Sequence, residues 1–303
     1  MSARRGFTLV ELVVAMALGL MVGGLVHRVL LHGQRLARAQ AEWAALNENV
    51  RTAALVLAGE LGEIGYDEIT PEAAVALGSP AAVRSDLFAI EPGAVTYLAA
   101  RGGGRVCRAA SSPQPEIVIE ASTWESPRAP RATDSLLVFA EGNPATGSDD
   151  AWIHLGVVSA GQGICPGGET GIALVVAAPA PLDPAALDLV TPGSPVRLTE
   201  VMQMRYYRAG GKSWFGMRSV STGEAVTPVA GPLADSGAGV RGLTLVYRDA
   251  ADGSTSDAAA VRAIEIALVG VTEYPIHRRD PRRPLVDSLV LTTRVAPRNG
   301  LRP

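Results

Sequence analysis

The chain has 303 residues, 48% of them hydrophobic and 19% charged, with a formal net charge of −3. That length allows one large domain or two ordinary ones, and the composition excludes a disordered chain. The mild acidity argues against a general nucleic-acid binder; two cysteines exclude a cysteine-built zinc finger or a disulfide-dense miniprotein but allow one bridge.

Two positive charges, Arg4 and Arg5, precede an apolar run from Phe7 to Val26 whose only clearly polar members are Thr8 and Glu11. A helix over these 20 residues is roughly 30 Å long, the thickness of a bilayer core. The flanking arginines favour a cytoplasmic N-terminus and place the rest of the chain outside. A secretory signal would carry a small-residue cleavage site after the run, and no clear Ala-x-Ala follows it. A plain single-pass anchor explains everything except Glu11. An ionisable group in an apolar span is costly unless paired, protonated or close enough to an interface to snorkel.

Beyond the run, Trp43, Leu46, Val50, Ala54, Leu57, Leu61 and Ile64 recur at steps of three and four, with Asn47, Glu48, Arg51 and Glu60 off the stripe. This predicts a helix from Phe7 to Glu63, ended by Gly62 and Gly65, whose second half packs on its own head. Strands are predicted at 87–90, 95–100, 106–108, 116–120, 135–140, 152–158 and 171–176. A hairpin follows at 201–208 and 214–218 around Gly210-Gly211, a second at 240–248 and 261–269, and a last strand at 286–295. Consecutive strands without intervening helices predict an antiparallel sheet and an α+β fold, one long helix laid on the sheet. The Pro- and Ala-rich stretch 183–195 is a weak division between two lobes of the head.

Gly6-Phe7-Thr8-Leu9-Val10-Glu11-Leu12 and the apolar stretch after it resemble the class III signal of type IV pilins and pseudopilins. The resemblance implies a leader at 1–6, a transmembrane and assembly helix at 7–65, and an extracytoplasmic β-rich head at 66–303. It also implies cleavage between Gly6 and Phe7 by a membrane prepilin peptidase, N-methylation of Phe7, and retention of the apolar stretch. The new Phe7 amine and Glu11 are then both stranded in hydrocarbon. Glu11 can meet the amine of a neighbouring subunit, which sets the register of assembly, or the amine of its own chain four residues away. Major pilins often carry a proline at the position of Arg28; its absence leaves Gly23-Gly24 as the only obvious soft point. The Tyr206-Tyr207 hairpin, Thr227–Ala230, Leu245–Arg248, Val261–Ile266 and Val290–Val295 are similar to PilW-type minor pilins, and more loosely to GspJ-type minor pseudopilins of type II secretion. The implied protein is a minor pilin that primes or caps a pilus, a minor pseudopilin, or a tip adhesin or DNA-uptake subunit. Its implied place is the inner (cytoplasmic) membrane, single-pass, and then the filament. Its implied partners are other minor pilins, the major pilin, the peptidase, the inner-membrane assembly platform and the lipid bilayer.

Catalytic chemistry has little support. His27, His32, His154 and His277 show no metal-binding spacing, and no Gly-x-Ser-x-Gly elbow occurs. No cofactor is expected. Arg101-Gly102-Gly103-Gly104-Arg105 lacks the ending of a phosphate loop and reads as a hairpin turn. Asp249, Asp252 and Asp257 form an acidic loop that misses the EF-hand spacing; it is a weak calcium candidate, with a solvated hairpin tip as the plainer reading. Arg278, Arg279, Arg282 and Arg283 form a basic patch suited to phosphate. Lys212 is the sole lysine, so arginine clusters carry little extra signal, and nucleic acid is an unlikely partner. With the head outside the membrane, Cys107 and Cys165 face an oxidising compartment and are expected to pair.

Overall fold

Helix α1 runs from Leu9 to Gly62, 54 residues or roughly 81 Å. It starts where Thr8 caps it and stops where Gly65 turns at a φ of 98°, a backbone glycine adopts at little cost. The computed structural model describes residues 8–65, 86–126, 128–132, 134–141, 145, 150–177, 184–235, 241–276 and 285–297. The first half of α1 is exposed on all sides, and from Leu46 onward one face is covered. The buried residues are Leu46, Val50, Ala53, Leu57, Leu61 and Ile64. The stripe read from the sequence holds with one correction: Ala53, not Ala54, is fully covered, and Ala54 packs at the margin of the same core.

Twelve strands are seen among the described residues, and every pairing is antiparallel. They are β1 (Leu87–Glu91), β2 (Ala94–Ala110), β3 (Glu116–Glu120), β4 (Ser135–Ala140), β5 (Ala151–Ile164) and β6 (Thr170–Ala177). Then come β7 (Pro195–Ala209), β8 (Lys212–Ser219), β9 (Thr227–Leu233), β10 (Leu243–Arg248), β11 (Ala263–Val271) and β12 (Ser288–Val295). The Tyr-Tyr hairpin is β7–β8, with Tyr207 opposite Trp214 and Gly210 and Gly211 both at positive φ in the turn. The second hairpin is β10–β11, with Leu243 opposite Leu268.

Two long strands, β2 and β7, lie side by side from Ala94–Arg205 to Arg105–Pro195 and serve two cores. At one end the pairings β2–β3–β6–β5–β4–β7–β2 close into a six-stranded ring. Inside it lie Val106, Ile117, Leu136, Ile153, Leu155, Leu174 and Leu198. At the other end β1, β2, β7, β8, β9 and β11 continue as an open sheet, with β10 and β12 flanking β11. Helix α1 packs on this sheet through a core that includes Tyr97, Met204, Phe215, Leu243 and Ile266. The segment that forms the ring is thus enclosed in sequence by residues of the helix-backed core. Of the stretch 183–195, the 3-10 turn Pro184–Leu189 and Val190 send Leu187 and Val190 into the ring.

The reading of Arg101–Arg105 as a turn is corrected: these residues run inside β2, joining the two strands expected at 95–100 and 106–108. The glycines serve close packing instead of chain reversal. A Cβ at Gly102 would lie 2.8 Å from Ser126 Oγ, one at Gly103 2.9 Å from the Val196 carbonyl oxygen, and one at Gly104 2.8 Å from Ile119 Cγ2. Strand β5 likewise runs six residues past its expected end at Val158, and β7 starts six residues before Val201.

Candidate assembly helix and its anchoring network

Local sequence builds the helix start. The Thr8 hydroxyl accepts from the Glu11 N–H at 3.3 Å, and Glu11 Oε2 accepts from the Thr8 N–H at 2.9 Å and from its hydroxyl at 3.0 Å. This reciprocal capping box satisfies donors that a helix N-terminus leaves open. The carboxylate of Glu11 is therefore turned back toward the N-terminus, where the helix dipole also favours negative charge. Leu9, Val10, Leu12 and Val13 around it are all more than half exposed. Gly6 and Phe7, the expected processing residues, lie outside the described residues. α1 is the one helix among the described residues long and apolar enough to cross a membrane.

The far end of α1 is held by charge. Glu60, off the apolar stripe, accepts from Arg101 through two hydrogen bonds of 3.0 Å and from the Tyr97 hydroxyl at 2.6 Å. Burial, reinforced by the Glu60 carboxylate, pushes the Tyr97 phenol far above its ordinary value, so it stays a donor. Burial alone would lower the Arg101 pKa, but the Glu60 hydrogen bonds and charge outweigh it and the net shift is upward. Glu200 on β7 sits 3.8 Å from Arg101 Nε and 4.0 Å from Arg128 Nη2, and accepts from the Ser219 hydroxyl. Arg128 in turn grips Asp134 with bonds of 2.6 and 2.8 Å. The chain of ionic contacts passes from helix to β2, to β7 and to the connection ahead of β4. Sequence reasoning missed it, because Glu60 and Arg101 are 41 residues apart and nothing local to either marks the pairing. Nearer the membrane end, Glu42 Oε2 accepts from the Glu273 and Tyr274 N–H groups at 3.0 and 3.2 Å.

Cys107 and Cys165 are joined as a disulfide, with Cα atoms 5.6 Å apart. Cys107 is the extra residue of a bulge in β2, between the Val106–Ile119 and Arg108–Val118 pairs, and Cys165 follows β5 directly. The bridge therefore ties β2 to the end of β5.

The three aspartates weighed as a calcium candidate each have a partner. Asp249 Oδ1 accepts from the Ala251 and Gly253 N–H groups at 2.9 and 2.8 Å, Asp257 Oδ1 accepts from Ala259 N–H at 3.0 Å, and Asp252 pairs with Arg294 at 2.5 Å. Each carboxylate is used by the loop and its neighbour strand, so the three do not converge. Among the described residues no group of three or more His, Cys, Asp or Glu is placed to hold a metal ion. His27 and His32 lie on the exposed part of α1 and His154 lies half-buried in β5, so they are not brought together. His277 and the basic patch Arg278, Arg279, Arg282 and Arg283 lie outside the described residues.

Residues 1–26 match the family model described as the prokaryotic N-terminal methylation motif. No curated protein and no solved structure matches the chain. The motif, the exposed apolar helix and the antiparallel head together support a type IV pilin-like or pseudopilin class with single-pass membrane anchoring.

Proposed function

We propose that the protein is a minor pilin, a structural subunit that primes or caps a type IV pilus. The observation that carries the reading is the division of α1: an exposed apolar half bearing Glu11 is continuous with a half seated on a large head. In this reading residues 1–6 are the leader, 7–65 the assembly helix and 66–303 the head. The prepilin peptidase cuts after Gly6 and Phe7 is N-methylated. The chain sits in the inner membrane with its head outside until it joins other minor pilins and the major pilin through the assembly platform.

The capping box gives Glu11 a resting partner. In the filament the Phe7 amine of a neighbour replaces it, and two costly groups in hydrocarbon neutralise each other in one axial register. Seating α1 on the head through the Glu60–Arg101 pair keeps the helix at one angle to the head, so the register of the helices is passed to the heads.

Mass spectrometry of the mature protein is expected to show an N-terminus at N-methyl-Phe7, and Gly6→Leu to block that cut. Glu11→Ala is expected to be processed normally but to lower the number of surface filaments, and gene deletion is expected to do the same, with major-subunit synthesis unchanged. An N-terminus at Met1 or beyond Val26 rejects the reading. Loss of protein secretion with normal filaments moves the assignment to a minor pseudopilin of type II secretion. Normal filaments and normal secretion leave the tip adhesin or DNA-uptake reading.

A further inference from the structure

Strand β12 has an edge that no described strand pairs. Among the described residues it pairs with β11 and no other strand, in a register without a bulge. The direction of its backbone groups follows from β11. Val269 N–H donates to the Gly242 carbonyl at 2.9 Å, and the Val269 carbonyl accepts from Ala234 N–H at 2.8 Å. Val269 thus uses both groups on the side of β9 and β10. Val290, opposite Val269, directs its own N–H and C=O away from β11. Thr292 and Arg294 do the same with the strand's period of two.

Side-chain seats flank that edge on both faces. Between β12 and α1 lies a groove of about 430 Å³, apolar at Ala54, Leu55, Ala58 and Leu291. A second hollow of about 390 Å³ on the outer face is bounded by Val246, Glu265, Thr292 and Arg294. An incoming strand sends alternate side chains to opposite faces and so meets both. Arg51 stands exposed at the end of the groove nearer the helix N-terminus, with no ion pair among the described residues.

Two-fold pairing of β12 with the β12 of a second copy does not fit this edge. Gly270 lies against Val50 and Leu46, and the next residues reach Glu42, so β11 descends toward the membrane end of α1 and β12 ascends with the helix. Antiparallel pairing of β12 with its own copy would point the two helices in opposite directions, which one membrane forbids. A two-fold along the strand would set N–H groups against N–H groups.

We propose that this edge and groove dock an extended segment of a different subunit anchored in the same membrane. That segment is apolar at alternate positions and acidic where it meets Arg51. The proposal rests on the assembly reading above.

The test uses the full chain in membranes, co-expressed with the other pilin-like subunits of its own cell, with Val290 replaced by p-benzoylphenylalanine. The expected result is a light-dependent adduct with one companion, mapped to an extended segment of its head. Thr292→Pro, which removes an outward N–H but none that bonds β11, is expected to abolish the adduct. Leu55→Glu, at a position 74% exposed, is expected to do the same without disturbing the fold and serves if the proline variant misfolds. An adduct with a companion's helix or with a second copy overturns the proposal, as does an adduct indifferent to both substitutions. Co-purification of the companions without any adduct overturns the docking site and leaves the assembly role standing. Failure of the wild-type chain to co-purify with any companion removes the assembly role and this site with it.

Discussion

Asp134 shows how one side chain ties a loop to the ring. Its carboxylate is fully covered and accepts from Arg128 and from the Arg131 N–H at 2.8 Å. Burial raises its pKa, but the Arg128 and Arg131 bonds outweigh that and hold the carboxyl below its ordinary range. A folded-state value below the unfolded one gives stability that is present above the unfolded value, about 4, and lost as pH falls through the folded value. Denaturant melts of the chain are expected to show falling stability from about pH 4 downward, and Asp134→Asn to flatten that slope. At neutral pH the same substitution weakens charged hydrogen bonds and is expected to cost about 1–3 kcal/mol. An unchanged slope would assign the acid sensitivity to other carboxylates.

At the scale of elements, the seat of α1 depends on a residue without a side chain. A Cβ at Gly270 on β11 would lie 2.7 Å from Leu46 Cδ1 and inside contact distance of Val50 Cγ2, both on the buried helix face. Val50 is stiff at χ1 and fully covered, so it cannot yield without moving the helix. Gly270→Val is therefore expected to cost about 1–3 kcal/mol by overpacking and to open the Val50 region to protease. Gly161→Ala on β5 has no atom within 4 Å of the added carbon and is expected to leave the melting temperature unchanged. Equal effects from the two would mean that the helix does not sit against β11 as described. The same logic separates Gly102–Gly104 from Gly210–Gly211: both runs read as turns, but one run is packed against neighbours and the other is open and at positive φ.

For the whole molecule the disulfide is the strongest covalent constraint on the ring. Cys107 and Cys165 are 58 residues apart, and loop-entropy arithmetic gives the bridge up to about 4 kcal/mol. The pair Cys107→Ser and Cys165→Ser is expected to lower stability by up to that amount. Hydrogen exchange is expected to rise first in β3, β5 and β6, and least along the helix-backed core. Uniform loosening of both cores would show that β2 and β7, which run through both, couple them into one cooperative unit.

What the sequence determined by itself is local or compositional. Helix periodicity, the apolar run, the Gly-Gly hairpin and the α+β class all rest on residues within a few positions of one another. The cysteine pairing was legible for another reason: only two cysteines exist, and the head was expected in an oxidising place. The tertiary structure alone decided that β2 runs through its glycines, that six strands close into a ring, that Asp252 meets Arg294, and that Glu60 meets Arg101. Each depends on contacts between segments tens of residues apart, from β2 with β7 to α1 with β11. A glycine that spares room for a neighbour and one that turns the chain are the same letter, and only the neighbour, brought close by non-local pairing, tells them apart.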